Sequence, residues 1–74
     1  MYKDISIQSK SQIEHINDIA CKAPFEIWLH GDSIMLDARS LLGLYALIGQ
    51  RVHVVAEDDV DPRQFSKIVA KMEH

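Results

Sequence analysis

The sequence predicts an α+β fold in the order βαββαβα, an open-faced β-sandwich in which three helices lie on one face of a four-stranded, mostly antiparallel sheet. Three observations predict it. Three stretches alternate apolar and polar residues with period two, a fourth short one follows a Gly31-Asp32 turn, and three others repeat apolar residues at helical spacing. Between them stand Pro24, Gly31, Gly49 and Pro62, which punctuate a chain this rich in regular elements. Finally, a chain of 74 residues buries only about 60% of its unfolded surface, so all seven elements must share one core. Stacking amphipathic helices on one sheet face achieves that.

The elements follow in order. Tyr2 to Ile7 reads as a strand with Ile5 and Ile7 on one face. Ile13, Ile16, Ile19 and Ala20 then recur at helical spacing, and Ser9-x-x-Gln12 and Ser11-x-x-Glu14 are two overlapping capping boxes, either of which can start that helix. Pro24 closes it. Phe25, Ile27 and Leu29 alternate with Glu26, Trp28 and His30 as a second strand, with Trp28 opposite in direction to Ile27 and Leu29. Gly31-Asp32 predicts a hairpin turn into a third strand at Ser33 to Leu36. Asp37 or Ser40 caps a second helix running to about Leu47, and Gly49 stops it. Arg51 to Ala56 is the fourth strand, with Val52, Val54 and Ala56 on one face. Asp61-Pro62 starts the last helix, whose apolar stripe is Phe65, Ile68, Val69 and Met72. No repeat, linker or low-complexity run interrupts this order, and residues 1–74 are expected to be a single domain.

Composition narrows the function classes. A hydrophobic fraction of 47% with 26% charged residues fits a packed globule, and no apolar run approaches the roughly 18 residues of a membrane span. Met1-Tyr2-Lys3-Asp4 lacks the pattern of a signal peptide, and Cys21 is the only cysteine, so a cytoplasmic protein without an internal disulfide is expected. The net charge of −3 and the absence of a Lys/Arg cluster argue against a grip on nucleic acid. His15 lies beyond the first helix start, off its apolar stripe, and His30, His53 and His74 have no partner at a metal-ligand spacing. Glu57, Asp58, Asp59 and Asp61 lack the ligand alternation and glycine of a calcium loop and read as a solvated helix approach. No cofactor or metal is expected.

Residues 36 to 44, Leu-Asp-Ala-Arg-Ser-Leu-Leu-Gly-Leu, resemble the helix-opening segment after the strand 2 and 3 hairpin of the HPr phosphocarrier family of the bacterial sugar phosphotransferase system. Ala46-Leu47 and Val52-x-Val54-x-Ala56-Glu57 support the resemblance, which spans residues 3 to 72. It implies the βαββαβα fold and protein partners: phosphotransferase-system enzymes, an HPr kinase or a transcriptional regulator. The loop between the second helix and the fourth strand is shorter here than is usual in that family.

The family also places a phosphoryl-accepting histidine and a neighbouring arginine at the first helix start. Here Ser9 stands at the histidine position and Ser11 at the arginine position, so nucleophile and cation are both replaced. A serine hydroxyl without an adjacent base is a poor nucleophile, and no catalytic residue is expected; Ser9 and Ser11 read as helix caps. Ser40 matches a regulatory phosphorylation site of Gram-positive members, with Arg39 in place of the usual lysine, and also reads as a plain cap. Leu41, Leu42, Leu44, Tyr45, Leu47 and Ile48 wrap more than one helix face. Of these, Leu41, Leu44, Tyr45, Leu47 and Ile48 are the candidate partner-binding residues, facing a protein partner or a second copy of the chain. The expected function is a non-transferring binding or regulatory module, with no activity as an enzyme. Two alternatives stand beside it, a working phosphocarrier that uses Ser9, His15 or Ser40, and a small homo-oligomeric structural domain.

Overall fold

Ser9 ends the extended chain and opens the first helix in the computed structural model, which describes residues 1–73 and leaves His74 outside. Its backbone is extended (φ −152°, ψ 162°), and its Oγ accepts from the Gln12 backbone N–H at 3.2 Å, making it the N-cap of α1, Lys10–Lys22. Of the two capping boxes the first is used, in a shifted form. The Gln12 side-chain Oε1 accepts from the N–H of Gln8 at 2.8 Å, one residue before the cap. Its amide nitrogen donates to the carbonyls of Ser6 at 2.8 Å and Met72 at 3.1 Å, so Gln12 can be buried at 7% exposure with its polar atoms partnered. Ser11 falls inside the helix. At the other end Ala23 is extended (φ −68°, ψ 145°), the backbone that a following proline imposes.

The strands are β1 Tyr2–Ser6, β2 Trp28–His30, β3 Met35–Asp37 and β4 Arg51–Val55, in the spatial order β1-β4-β2-β3 with every neighbouring pair antiparallel. The last strand therefore enters between the first two. Ile5 pairs with Val52, and Leu29 lies between Val54 and Leu36. Ile5, Leu29, Val52 and Val54 are buried beneath the helices. By strand alternation Tyr2, Asp4, Trp28, His30, Met35, Arg51 and His53 stand on the other, open face.

Three boundaries differ from expectation. The second strand is three residues long, because Phe25 to Ile27 approach the sheet outside the ladder; Ile27 still accepts from the Ala38 N–H at 3.0 Å. The hairpin is not a two-residue Gly31-Asp32 turn but a Gly31–Ile34 connection closed by the Gly31 N–H on the Ile34 carbonyl at 2.9 Å, which moves the third strand to Met35–Asp37. The physical reason is that the tight hairpin turns require positive φ, and among the described residues only Gly49 has it. The second helix is also broken. α2 spans Leu41–Leu44 and passes into a 3-10 turn at Tyr45–Leu47. Gly49 (φ 89°) then turns the chain into β4 as expected.

The third helix, α3, Pro62–Met72, starts as the sequence predicts, with the Asp61 carboxylate accepting from the Arg63 N–H at 2.9 Å and proline in the first turn. It buries Phe65, Val69 and Met72. α1 packs against α3 and α2, and Ile13, Ile16, Leu44, Leu47, Phe65 and Met72 meet the inner sheet face in one core.

Candidate functional site

Two places answer to the sequence-predicted site: the start of α1 and the segment around α2. At the α1 start, Ser9 Oγ lies 3.2 Å from Ser11 Oγ and also accepts from Gln12 N–H, while Gln12 closes over the N–H of Gln8. Both serines are exposed, but their hydroxyls face each other and the helix end rather than a base. Among the described residues no imidazole or guanidinium bonds to this cap. His15 is exposed on α1, beyond the first turn, where the helix donors have intrahelical acceptors. The nearest arginine chemistry is on the sheet. Arg51 Nη1 donates to Ser6 Oγ at 3.2 Å and its Nε lies 3.8 Å from Asp4, in a shallow depression of about 240 Å³ also lined by Gln8 and Glu73. A carboxylate there already answers the cation.

The segment that opens α2 shows why its residues occur together. Ala38 is fully buried and donates its N–H to Ile27, and Asn17 on α1 donates to its carbonyl at 3.2 Å. A Cβ at Gly43 would stand 3.3 Å from Leu36 Cδ2, so glycine lets α2 sit close on β3. The Asp37 carboxylate accepts from the Arg39 backbone N–H and from its guanidinium, both at 2.9 Å at the closest, and Arg39 also reaches Glu26 at 3.4 Å. The Arg39 hydrogen bonds hold the Asp37 carboxyl below its usual range, and the same pairing raises the Arg39 guanidinium. Asp37 thus braces the turn and is not the helix cap.

Ser40 occupies the N-cap position but makes no side-chain cap bond, and its backbone N–H donates to the Asp37 carbonyl at 2.9 Å. The residue is exposed. Of the predicted partner-binding residues, Leu44 and Leu47 are fully buried; they anchor the segment to the core and cannot reach a partner, because their burial is what holds so short a helix in place. Leu41 and Tyr45 are half-buried, and Ile48 is exposed. Leu42, at 85% exposure, is the most accessible apolar side chain of the segment.

The acidic stretch is accounted for by structure. Asp58 accepts from the Met1 amine at 2.6 Å, which holds its carboxyl below the usual range, and Asp61 caps α3. Trp28 is half-buried on the open face, where His30 and His53 stand directly opposite each other on β2 and β4. No sequence spacing signals that pair, because it arises only from β4 lying beside β2. No helix among the described residues is long and apolar enough to cross a membrane.

No family model matches the sequence, and no curated protein matches it. Solved structures do match. The crystal structure of HPr-C-His from Thermoanaerobacter tengcongensis superposes with a TM-score of 0.76 at 23% identity, over 99% of this chain and 91% of that one. The chain has the HPr fold. The phosphocarrier protein HPr from Bacillus anthracis str. Ames is similar over 96% of this chain and 94% of its own, with a TM-score of 0.73 at 15% identity. The resemblance read from residues 36 to 44 therefore holds at the level of the fold, including the strand order and the three helices on one face. Within the HPr fold, the α1 start of this chain carries serine hydroxyls and a glutamine amide.

Proposed function

We propose that this chain is an HPr-type protein related to the sugar phosphotransferase system that acts as a non-transferring binding or regulatory module. The observation that carries this reading is the closed cap of α1: Ser9 Oγ is engaged by Gln12 N–H and Ser11, and the Gln12 side chain accepts from the Gln8 N–H. A phosphoryl acceptor needs a nucleophile with a base or a low pKa, and a cation or free donors to receive the new charge. Among the described residues no base lies within hydrogen-bond reach of Ser9. With the chemistry absent, the fold supplies a surface, and the exposed edge of α2, centred on Leu42 with Ile48 and the half-buried Tyr45 and Leu41, is where a protein partner docks.

Ser40 is the regulatory point of this module. Its hydroxyl is exposed and unused as a cap, so a kinase can reach it without breaking a helix bond. A phosphate there would meet the free N–H groups at the start of the α2 segment and the neighbouring Arg39.

The deciding experiment is intact-mass spectrometry after incubation with phosphoenolpyruvate and the general phosphotransferase enzyme, with an ordinary HPr as positive control. No mass gain is expected while the control is fully labelled. A gain of one phosphate would instead establish a working carrier, with His15 and Ser9 the positions to map. In a parallel reaction with HPr kinase and ATP, one phosphate is expected on the chain and none on Ser40→Ala; an unlabelled wild type removes the regulatory role of Ser40.

A further inference from the structure

The register of the sheet sets four side chains in one straight row across the open face. Asp4 on β1 pairs with His53 on β4, His53 pairs with His30 on β2, and His30 pairs with Met35 on β3. All four stand on the side away from the helices. The two imidazoles are tilted at 52° with ring centroids 6.3 Å apart. The Tyr2 ring packs edge-on against His53 at 4.7 Å, which restricts the rotamers of that imidazole.

We propose that His30 and His53 form a two-imidazole chelate for a divalent first-row transition metal, with Asp4 as the residue that positions His53. Directly opposed cross-strand residues carry their Cβ atoms about 4.5–5.5 Å apart, and a metal held about 2.0–2.1 Å from each nitrogen requires the two rings only to lean toward each other. The movement falls mainly on His30, which is exposed, while His53 is half-buried and held by Tyr2. Imidazole is the ligand type that copper, nickel and zinc share.

Asp4 gives the arrangement its direction. Its Oδ1 lies against Nδ1 of His53, without hydrogen-bond alignment, and that nitrogen is closed to solvent and has no other polar partner. A small rotation of the imidazole would align Nδ1–H with this carboxylate and turn Nε2 outward as the ligand atom, the arrangement found behind metal-bound histidines. No group of three His, Cys, Asp or Glu side chains among the described residues is placed to hold a metal ion. The proposed site is therefore a two-ligand chelate whose remaining positions are open to solvent. Met35, opposite His30, is 57% exposed at the edge of the site, and nitrogen ligands by themselves hold divalent copper more tightly than zinc.

The test is a titration of the full chain with Cu²⁺ and with Zn²⁺, in a Cys21→Ser background that removes the exposed free thiol. Calorimetry reads affinity, and the histidine ring signals in NMR read location. One metal per chain is expected, copper bound more tightly than zinc, with the His30 and His53 ring signals affected first and His15 unaffected. His30→Gln and His53→Gln should each abolish the one-to-one site. Asp4→Asn should weaken it by about tenfold or more, with Asp4→Glu restoring most of the affinity, while the thermal midpoint without metal stays near that of the parent. Saturating metal should also raise the thermal midpoint, since it ties β2 to β4 in the native state alone. No binding of either metal, or one-to-one binding that survives His30→Gln, overturns the proposal.

Discussion

Gln12 is a single side chain that joins three parts of the molecule: the turn after β1 through Gln8 and Ser6, the start of α1, and the last turn of α3 through Met72. Gln12→Ala removes the buried bond to the Met72 carbonyl and the partly buried ones to Gln8 and Ser6, and should cost about 1–3 kcal/mol in urea unfolding. The two serines beside it separate cleanly. Ser9 accepts a backbone N–H and Ser11 does not, so Ser9→Ala should lose on the order of 1 kcal/mol, whereas Ser11→Ala should stay within about 0.5 kcal/mol of the parent. Equal losses would mean that both serines cap the helix. Gly49 makes a further case at this scale. A Cβ there would meet nothing within 4 Å, yet its φ of 89° is unfavourable to any L side chain. Gly49→Ala should therefore lose roughly 1–2 kcal/mol through the backbone alone.

Among the elements, the short α2 with its 3-10 continuation behaves least like its sequence pattern. Its apolar residues divide by depth: Leu44 and Leu47 hold it down, and Leu42 points away from the core at 85% exposure. Leu47→Ala should destabilise the fold by about 2–5 kcal/mol, while Leu42→Asp should change stability by no more than about 0.5 kcal/mol and yet abolish partner or self association. Comparing unfolding midpoints with a binding or sedimentation measurement separates the two effects. Tyr45→Asp, on a half-buried side chain, should show a mixture of both. If Leu42→Asp leaves association intact, the docking surface lies elsewhere. The helix starts were the most legible elements in the sequence, because capping depends on residues within four positions of each other. Asp61-Pro62 and Ser9-x-x-Gln12 are of this kind. The hairpin and the end of the second helix were less legible, because their geometry follows from how Ile34, Leu47 and Gln50 pack around Gly31.

For the whole molecule, electrostatics act mainly on the acid side. The Asp37 and Asp58 carboxyls are both held below their ordinary value of 3.8, by Arg39 and by the Met1 amine. A depressed carboxyl stabilises the native state above the unfolded pKa, and the benefit disappears as pH falls through the lower folded value. Stability from these pairs should thus be flat around neutral pH and decline only below the usual carboxylate range. Both pairs lie at the surface, so the decline should be small and further reduced by salt. Thermal melts from pH 6 downward should show a shallower acid-side slope in Asp37→Asn than in the parent; an unchanged slope would mean that the Arg39 pairing is lost in solution.

The sequence by itself determined the element order, the stripes of the first and last helices, the Asp61 cap and the serines at the α1 start, since each depends on periodicity or on neighbours along the chain; the structure then chose Ser9 over Ser11 as the α1 cap. The tertiary structure alone decided which of the α2 leucines are core, that Ser40 leaves its hydroxyl unused, and that Asp4, His53, His30 and Met35 share one row. The physical reason is the insertion of β4 between β1 and β2. His30 and Asp4, 23 and 49 positions before His53 in the chain, become its cross-strand neighbours, and no local pattern encodes that adjacency.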